Sequence, residues 1–346
     1  MDPQREHRIE SPSLSRRELV AGATAAVVGL SGLRPESALA APAGQQVGDP
    51  TRARAMEQAA AKLLSEVRPA LRRQASFPFR SSERTRWHWT VNTIFPRNGV
   101  PLTSMTVRER RAALELLETS VSGPGFRKAR EIMSLQRFLD ADPTLYFVSV
   151  FGDPGAARWG WRFEGHHLSL HFTIAGDDVT STPFFLGAWP TRPVRGPRPM
   201  AREEEAAREL VRGLDAATRT AVVFRQESLT DHVTQNAVRV RPLARVGLPL
   251  RQLGARERGL SREIVETYLG VLTAAEASAL RTRIDRSGFE ALRFGWSGSL
   301  EPGRPHYYRL QGSSFLLEFD NSRNDGTHIH SVWRDYERDF ARHLIR

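Results

Sequence analysis

The apolar positions Met56, Ala59, Ala60, Leu63, Leu64, Val67 and Leu71 recur at spacings of three and four, which predicts one amphipathic helix over residues 52–74. Other helix starts are marked by capping chemistry. Thr106 with Glu109, and Thr273 with Glu276, set a hydroxyl and a carboxylate three residues apart, where both can satisfy amides of a first turn, and Asp215 opens a similar turn. Helices over 202–214 and 262–271 complete the set. Segments 87–92, 144–151, 159–174, 179–189, 291–297, 306–310, 315–320 and 327–333 are instead rich in aromatic and β-branched residues and bounded by Gly, Pro, Asn or Asp, so they read as strands. The last four are joined by turns at 298–305, 311–314 and 321–326. Parallel crossovers need longer connections, so these strands are expected to form an antiparallel C-terminal meander. Helices and strands do not alternate strictly. The expected class is therefore α+β, an antiparallel sheet covered by amphipathic helices.

The charge changes this picture less than its size suggests. The 346 residues carry 50 basic against 39 acidic groups, a net charge of +11, but Lys62 and Lys128 are the only lysines. The arginines are scattered and interleaved with acids, as at 108–111 and 202–208, with no basic run backed by aromatic platforms, so a nucleic-acid partner is not expected. Cysteine is absent, which removes disulfides, thiolate metal sites, cysteine nucleophiles and lipidated cysteine anchors. Any metal is left to nitrogen and oxygen ligands.

The amino terminus has the order of an export signal. Paired arginines, Arg16 and Arg17, follow Ser15 and precede a weakly apolar stretch, 19–33, and then the small-residue site Ala38-Leu39-Ala40. This resembles a twin-arginine (Tat) signal peptide over residues 1–40, so the Tat export machinery is an expected partner. Residues 41–51 read as a flexible linker and 52–346 as a single α+β domain. No later segment reaches the ~20 apolar residues needed to span a bilayer, so a soluble periplasmic or extracellular protein without membrane attachment is expected after cleavage.

With cysteine absent, the ten histidines are the place to look for chemistry. In a strand, side chains alternate, so His328 and His330 project from one face of the last strand, and His167, Ser169 and His171 share a face of an earlier one. A His-x-His pair joined by a histidine from another strand is one way a sheet gathers a three-nitrogen site with an open position. The expected ligands are His167, His328 and His330, with His166 the first substitute. Glu164, Asp320 and Asp325 are candidate fourth ligands, partners of the ligands or general bases. A metal-free pocket and purely structural histidines are the competing readings.

Weaker constellations follow. His306 and Tyr308 share a strand face and offer proton transfer, Arg334 after Trp333 can fork onto a substrate carboxylate, and His88 between Trp87 and Trp89 can line an aromatic cleft. Core packing of the tyrosines and indoles, and an Arg334–Asp335 ion pair, are the plainer alternatives. Nucleophile elbows, Walker loops, GxGxxG fingerprints and HExxH helices are missing, so neither nucleotide nor flavin is expected.

The motifs Trp159-Gly160-Trp161-Arg162-Phe163-Glu164-Gly165-His166-His167, Gly298-Ser299-Leu300-Glu301-Pro302-Gly303, His306-Tyr307-Tyr308-Arg309, Glu318-Phe319-Asp320-Asn321 and His328-Ile329-His330-Ser331-Val332-Trp333-Arg334-Asp335 resemble the bacterial domain-of-unknown-function family number 3500. The resemblance runs from about residue 56 to 345. It departs at His171, where the family pattern has asparagine, making His171 a poorer ligand than His167. The resemblance supplies no activity, but implies that these motif residues act as one set. The resulting expectation is an exported, metal-dependent hydrolase or oxidoreductase holding Zn, Cu or Fe and acting on a small substrate. Glu164, Asp325 and Tyr308 would be its catalytic candidates, and Arg334, His306, Trp333 and Asn321 its substrate contacts. A non-catalytic periplasmic ligand-binding or accessory protein is the alternative.

Overall fold

A computed structural model describes residues 49–345, so the expected signal peptide and most of the linker lie outside the described residues. The helix expected over 52–74 is two. Pro69 disfavours a helical residue before it, Val67 and Arg68 are extended, and α1 (Pro50–Glu66) and α2 (Pro69–Ala75) are separated. The Thr106 box caps α3 (Val107–Ser120) in both directions. Ser122 caps α4 (Gly123–Ser134), a helix hidden from the sequence reading by its Gly-Pro-Gly start. α5 (Ala201–Gly213) and α6 (Ala216–Val222) follow, then α7 (Ala255–Leu269), which starts ahead of its expected position, and α8 (Ala274–Arg286), capped by Thr273.

The strands are β1 (Ser76–Phe77), β2 (Val100–Pro101), β3 (Tyr146–Phe151), β4 (Arg158–Gly165), β5 (Leu168–Ala175), β6 (Asp178–Thr180), β7 (Phe184–Ala188), β8 (Val223–Arg225), β9 (Leu248–Pro249), β10 (Arg293–Gly298), β11 (His306–Gln311), β12 (Phe315–Arg323) and β13 (His328–Asp335). They form one sheet, whose main path runs β1-β3-β4-β5-β7-β13-β12-β11-β10-β8. The class is α+β and the C-terminal meander β10 to β13 forms as expected, but the sheet is mixed. β1 with β3 and β8 with β10 pair in parallel, over connections long enough to return the chain. Two further corrections concern strand extents. The segment 159–174 is the hairpin β4–β5, turning at His166 and His167, and 179–189 is β6 and β7. Residues 87–92 form no strand; Trp87 and Trp89 are anchored by packing on the sheet instead.

The two faces of this sheet differ. On one, Phe163, Leu168, Leu186, Phe319 and Trp333 pack with Leu116, Ile132, Leu210 and Ile264 of the helices in one apolar core. The other face carries Arg162, Glu164, Ser169, His171, Glu318, Asp320, His328, His330 and Arg334, all buried. Among the described residues, irregular chain and two short 3₁₀ turns, Ser82–Thr85 and Asp339–Ala341, rather than an α-helix cover them, and the polar groups themselves hold this cover. Glu318 accepts from Val233 N at 2.6 Å, Thr234 N at 3.1 Å and the Tyr307 hydroxyl at 2.9 Å, and Arg334 donates to the Ala237 carbonyl at 2.6 Å. Buried polar groups are tolerable when so paired. No helix among the described residues is long and apolar enough to cross a membrane.

Candidate metal centre

His328 and His330 lie two residues apart on β13 and point to the polar face, as strand alternation requires. His167 reaches them by another route than expected, from the β4–β5 turn rather than from a strand face. Its φ is +65°, a left-handed conformation that costs a non-glycine residue on the order of 1–3 kcal/mol and is concentrated at functional sites. The turn is clamped from both sides. His167 N donates to the Trp89 carbonyl and Gly187 N to the His167 carbonyl, each at 2.8 Å. Gly187 must be glycine, because a Cβ there would lie 2.9 Å from the His167 ring and 2.5 Å from the Ile329 carbonyl.

Three imidazole nitrogens converge. His167 Nε2 stands 2.6 Å and His330 Nε2 3.1 Å from His328 Nε2. His328 Nδ1 lies 2.7 Å from Asn324 Oδ1, and His330 Nδ1 lies 2.9 Å from Asp231 Oδ1. Amide and carboxylate oxygens only accept, so both Nδ1 atoms carry the proton and both Nε2 atoms present a lone pair to each other. Opposed lone pairs at this distance are stabilised by a cation between them. Tetrahedral zinc ligands, each ~2.0–2.1 Å from the ion, stand about 3.3 Å apart, close to the 3.1 Å between His328 and His330 and wider than the 2.6 Å between His167 and His328. Burial, more than any neighbouring charge, lowers the His167, His328 and His330 imidazoles below their ordinary values, which keeps them neutral as ligands must be. The donor set fits a metal.

His166 stacks on His167 at 3.8 Å between centroids, bonds Gln136 Oε1 through Nδ1 at 2.8 Å, and is lowered by burial to about 3. With His167 and His328 it forms a group of nitrogens within ligand reach of one another. Asp231, His232 and His330 form a second such group. There, however, Asp231 is saturated by donors. Its Oδ1 takes His232 N, His232 Nδ1 and His330 Nδ1 at 2.8–2.9 Å, and its Oδ2 takes Arg323 at 3.1 Å. Burial tends to raise this carboxyl, but the His330 and His232 contacts outweigh it and hold it well below its ordinary range. Asp231 is therefore placed to hold the N–H of a ligand, the arrangement by which carboxylates orient metal-binding histidines.

Asp320 sits across from His330 in the β12–β13 register. Its Oδ1 accepts from Ser322, its buried Oδ2 has no hydrogen-bond partner, and burial pushes it up to about 7. The other candidates lie elsewhere. Glu164 is buried in an ion pair with Arg162 at 2.8 Å, with Arg97 beyond at 3.7 Å. Asp325 is exposed and paired with Arg304 at 3.5 Å. Tyr308 gives its hydroxyl to the Glu203 carbonyl of α5, and His306 stacks on Trp296 at 4.4 Å, on the helix-covered face. Asn321 accepts from His306 N at 2.8 Å. Trp333 stacks between Phe315 and Phe184 in the apolar core, while Arg334 pairs with Asp339 at 2.7 Å. Of the expected set, the structure gathers His166, His167, His328 and His330, with Asp320 beside them.

Sequence reasoning missed Asp231, His232, Asn324 and Gln136. Asp231 and His232 lie in a stretch without periodicity, and their adjacency was the one available signal. Asn324 lies in the expected 321–326 turn; it shapes that turn, with φ of +51°, and also holds His328.

Fold and site together define an α+β protein with a buried histidine–carboxylate centre on the polar face of its sheet. The chain belongs to the family described as "Protein of unknown function (DUF3500)", whose family model matches residues 49–342 and so contains all the motifs that resemble it. No curated protein and no solved structure matches the chain.

Proposed function

We propose that this protein is an exported, metal-dependent enzyme acting on a small substrate, with one zinc, copper or iron ion held by His167, His328 and His330. The opposed lone pairs of His328 and His330, each fixed by a protonated Nδ1, carry the reading. When bound, zinc would supply an acidified water for hydrolysis, and copper or iron would supply redox chemistry. The chain's own part is orientation and exclusion of water. Asp231 and Asn324 fix the His330 and His328 rings, Trp189 stacks on His328 at 4.8 Å, and Trp89 and Phe185 pack edge-on to His330. His166, within ligand reach of His167 and His328, and Asp320, opposite His330 in the sheet, are further donors. Export rests on the Arg16-Arg17 and Ala38-Leu39-Ala40 pattern. Replacing both arginines by lysine is expected to stop passage of a fused reporter to the periplasm.

Metal analysis of exported protein tests the centre. About one equivalent is expected in the parent and none in the His328→Ala/His330→Ala double variant. Asp231→Asn is expected to weaken the metal about 10–100-fold, as loss of a ligand's orienting partner does. A parent protein free of stoichiometric metal rejects the metalloenzyme and leaves the ligand-binding or accessory reading.

A further inference from the structure

The turn from β12 to β13 carries a cation that the proposed centre does not use as a ligand. Pairing with β13 is irregular there, with both Ser322 and Arg323 opposite His328, a β-bulge of the kind that re-aims a side chain beside a site. Two successive residues with positive φ, Asn324 at +51° and Asp325 at +53°, follow. The bulge brings Arg323 against the centre. Its Nη2 donates to Asp231 Oδ2 at 3.1 Å, and Asp231 in turn holds His330.

Comparison with the other arginines of this face sets Arg323 apart. Arg97, Arg162 and Arg334 have fully buried side chains in ion pairs or carbonyl contacts, as structural guanidinium groups do. Arg323 meets its carboxylate through one nitrogen and is 46% exposed. Asp231 itself lines a groove of ≈ 300 Å³, together with Arg225, Ser228, Thr230, His232 and Gln235 among others. A ligand in this groove would lie against Asp231, the carboxylate that Arg323 and His330 share.

We propose that Arg323 is an oxyanion anchor, whose free guanidinium edge takes a carboxylate or phosphate oxygen of the substrate beside the imidazole centre. The planar fork suits such oxygens, and charge-assisted bonds of this kind are the strong ones. The inference deepens the metalloenzyme reading and rests on it for the place of the reacting group. The substrate is thus a small anion, its charged end at Arg323 and its body in the groove.

The full chain, loaded with one equivalent of Zn²⁺, is titrated calorimetrically with inorganic phosphate, with acetate and with neutral acetamide. Phosphate or acetate is expected to bind and acetamide not, and the tighter anion names the class. Arg323→Ala is expected to weaken the anion at least about tenfold at unchanged zinc stoichiometry and unchanged melting, the loss of one charged hydrogen bond. Arg323→Lys, which keeps the charge without the fork, is expected to weaken it severalfold and decides the matter if the alanine variant sheds zinc. Anion affinity equal to the parent's in a zinc-loaded variant overturns the anchor, as does a zinc-loaded parent that binds neither anion. A parent that takes up no zinc is a failure of the metal centre instead. Phosphate and acetate are then titrated on the metal-free protein, where the same dependence on Arg323 supports the anchor and its absence overturns it.

Discussion

On the face toward α4, α5 and α7, the strands present Phe163, Leu186, Phe319 and Trp333 to helices that return Ile132, Leu210 and Ile264; on the opposite face, the same strands present Glu318, Asp320, His330 and Arg334 to irregular chain. Both sets are buried. Apolar contact holds the first, and it needs no particular partner so long as volume is filled. Hydrogen bonds hold the second, each with a definite donor and acceptor. Removing one partner there strands another polar group at a cost of about 1–3 kcal/mol. A face built this way is a poor source of stability and a good means of setting a few side chains at fixed positions, which is what the imidazole centre requires.

The contrast can be broken first at Trp333. Trp333→Ala in the helix-packed face is expected to cost about 3–5 kcal/mol, read as a lower denaturant midpoint, while metal stoichiometry in the remaining folded protein is unchanged. A loss of metal without a loss of stability would place Trp333 at the site instead. Glu318→Ala in the loop-packed face is expected to cost less, about 1–3 kcal/mol, and to act locally. Amide exchange should rise over residues 228–237, and metal affinity should fall with it. Uniform exchange across the sheet would contradict this assignment.

His306 is a polar exception on the apolar face and sharpens the comparison through pH. Burial, reinforced by Arg208, lowers its imidazole to about 3. Because the unfolded value of ~6.5 is higher, the unfolded chain binds the extra proton first, so the contribution of His306 is intact above pH ~6.5 and is lost as pH falls toward 3. In His306→Gln, the fall of stability across that window should be shallower by about 1.4 kcal/mol per pH unit, measured by denaturation at a series of pH values. An unchanged slope would show that His306 charges freely. The smallest effect belongs to the surface. Asp325→Asn breaks only the exposed pair with Arg304, and is expected to shift stability by less than about 0.5 kcal/mol and leave metal binding as it was.

Much of the fold was legible. The meander β10 to β13, the caps at Thr106, Asp215 and Thr273, and the class itself all follow from local pattern, because capping and strand alternation act over a few residues. The misreadings were also local conflicts. Pro69 interrupts a continuous apolar period, Gly123-Pro124-Gly125 disguises a helix start, and the aromatic segment 87–92 has strand composition without a strand partner.

The candidate site divides the same way. Alternation along β13 is enough to place His328 and His330 on one side, since a strand's period of two is fixed by its backbone. The sequence also nominated His167 as their companion, but from a strand face, and it reaches them from the β4–β5 turn instead. That depends on β7 lying between β5 and β13, on Gly187 leaving room for a ring, and on the irregular segment 226–247 bringing Asp231 to His330 through bonds to Glu318 and Arg334. The sequence by itself determined how side chains alternate along the meander strands, a matter of neighbouring residues. Which faces meet, and which loop closes over them, was decided by contacts between residues far apart in the chain.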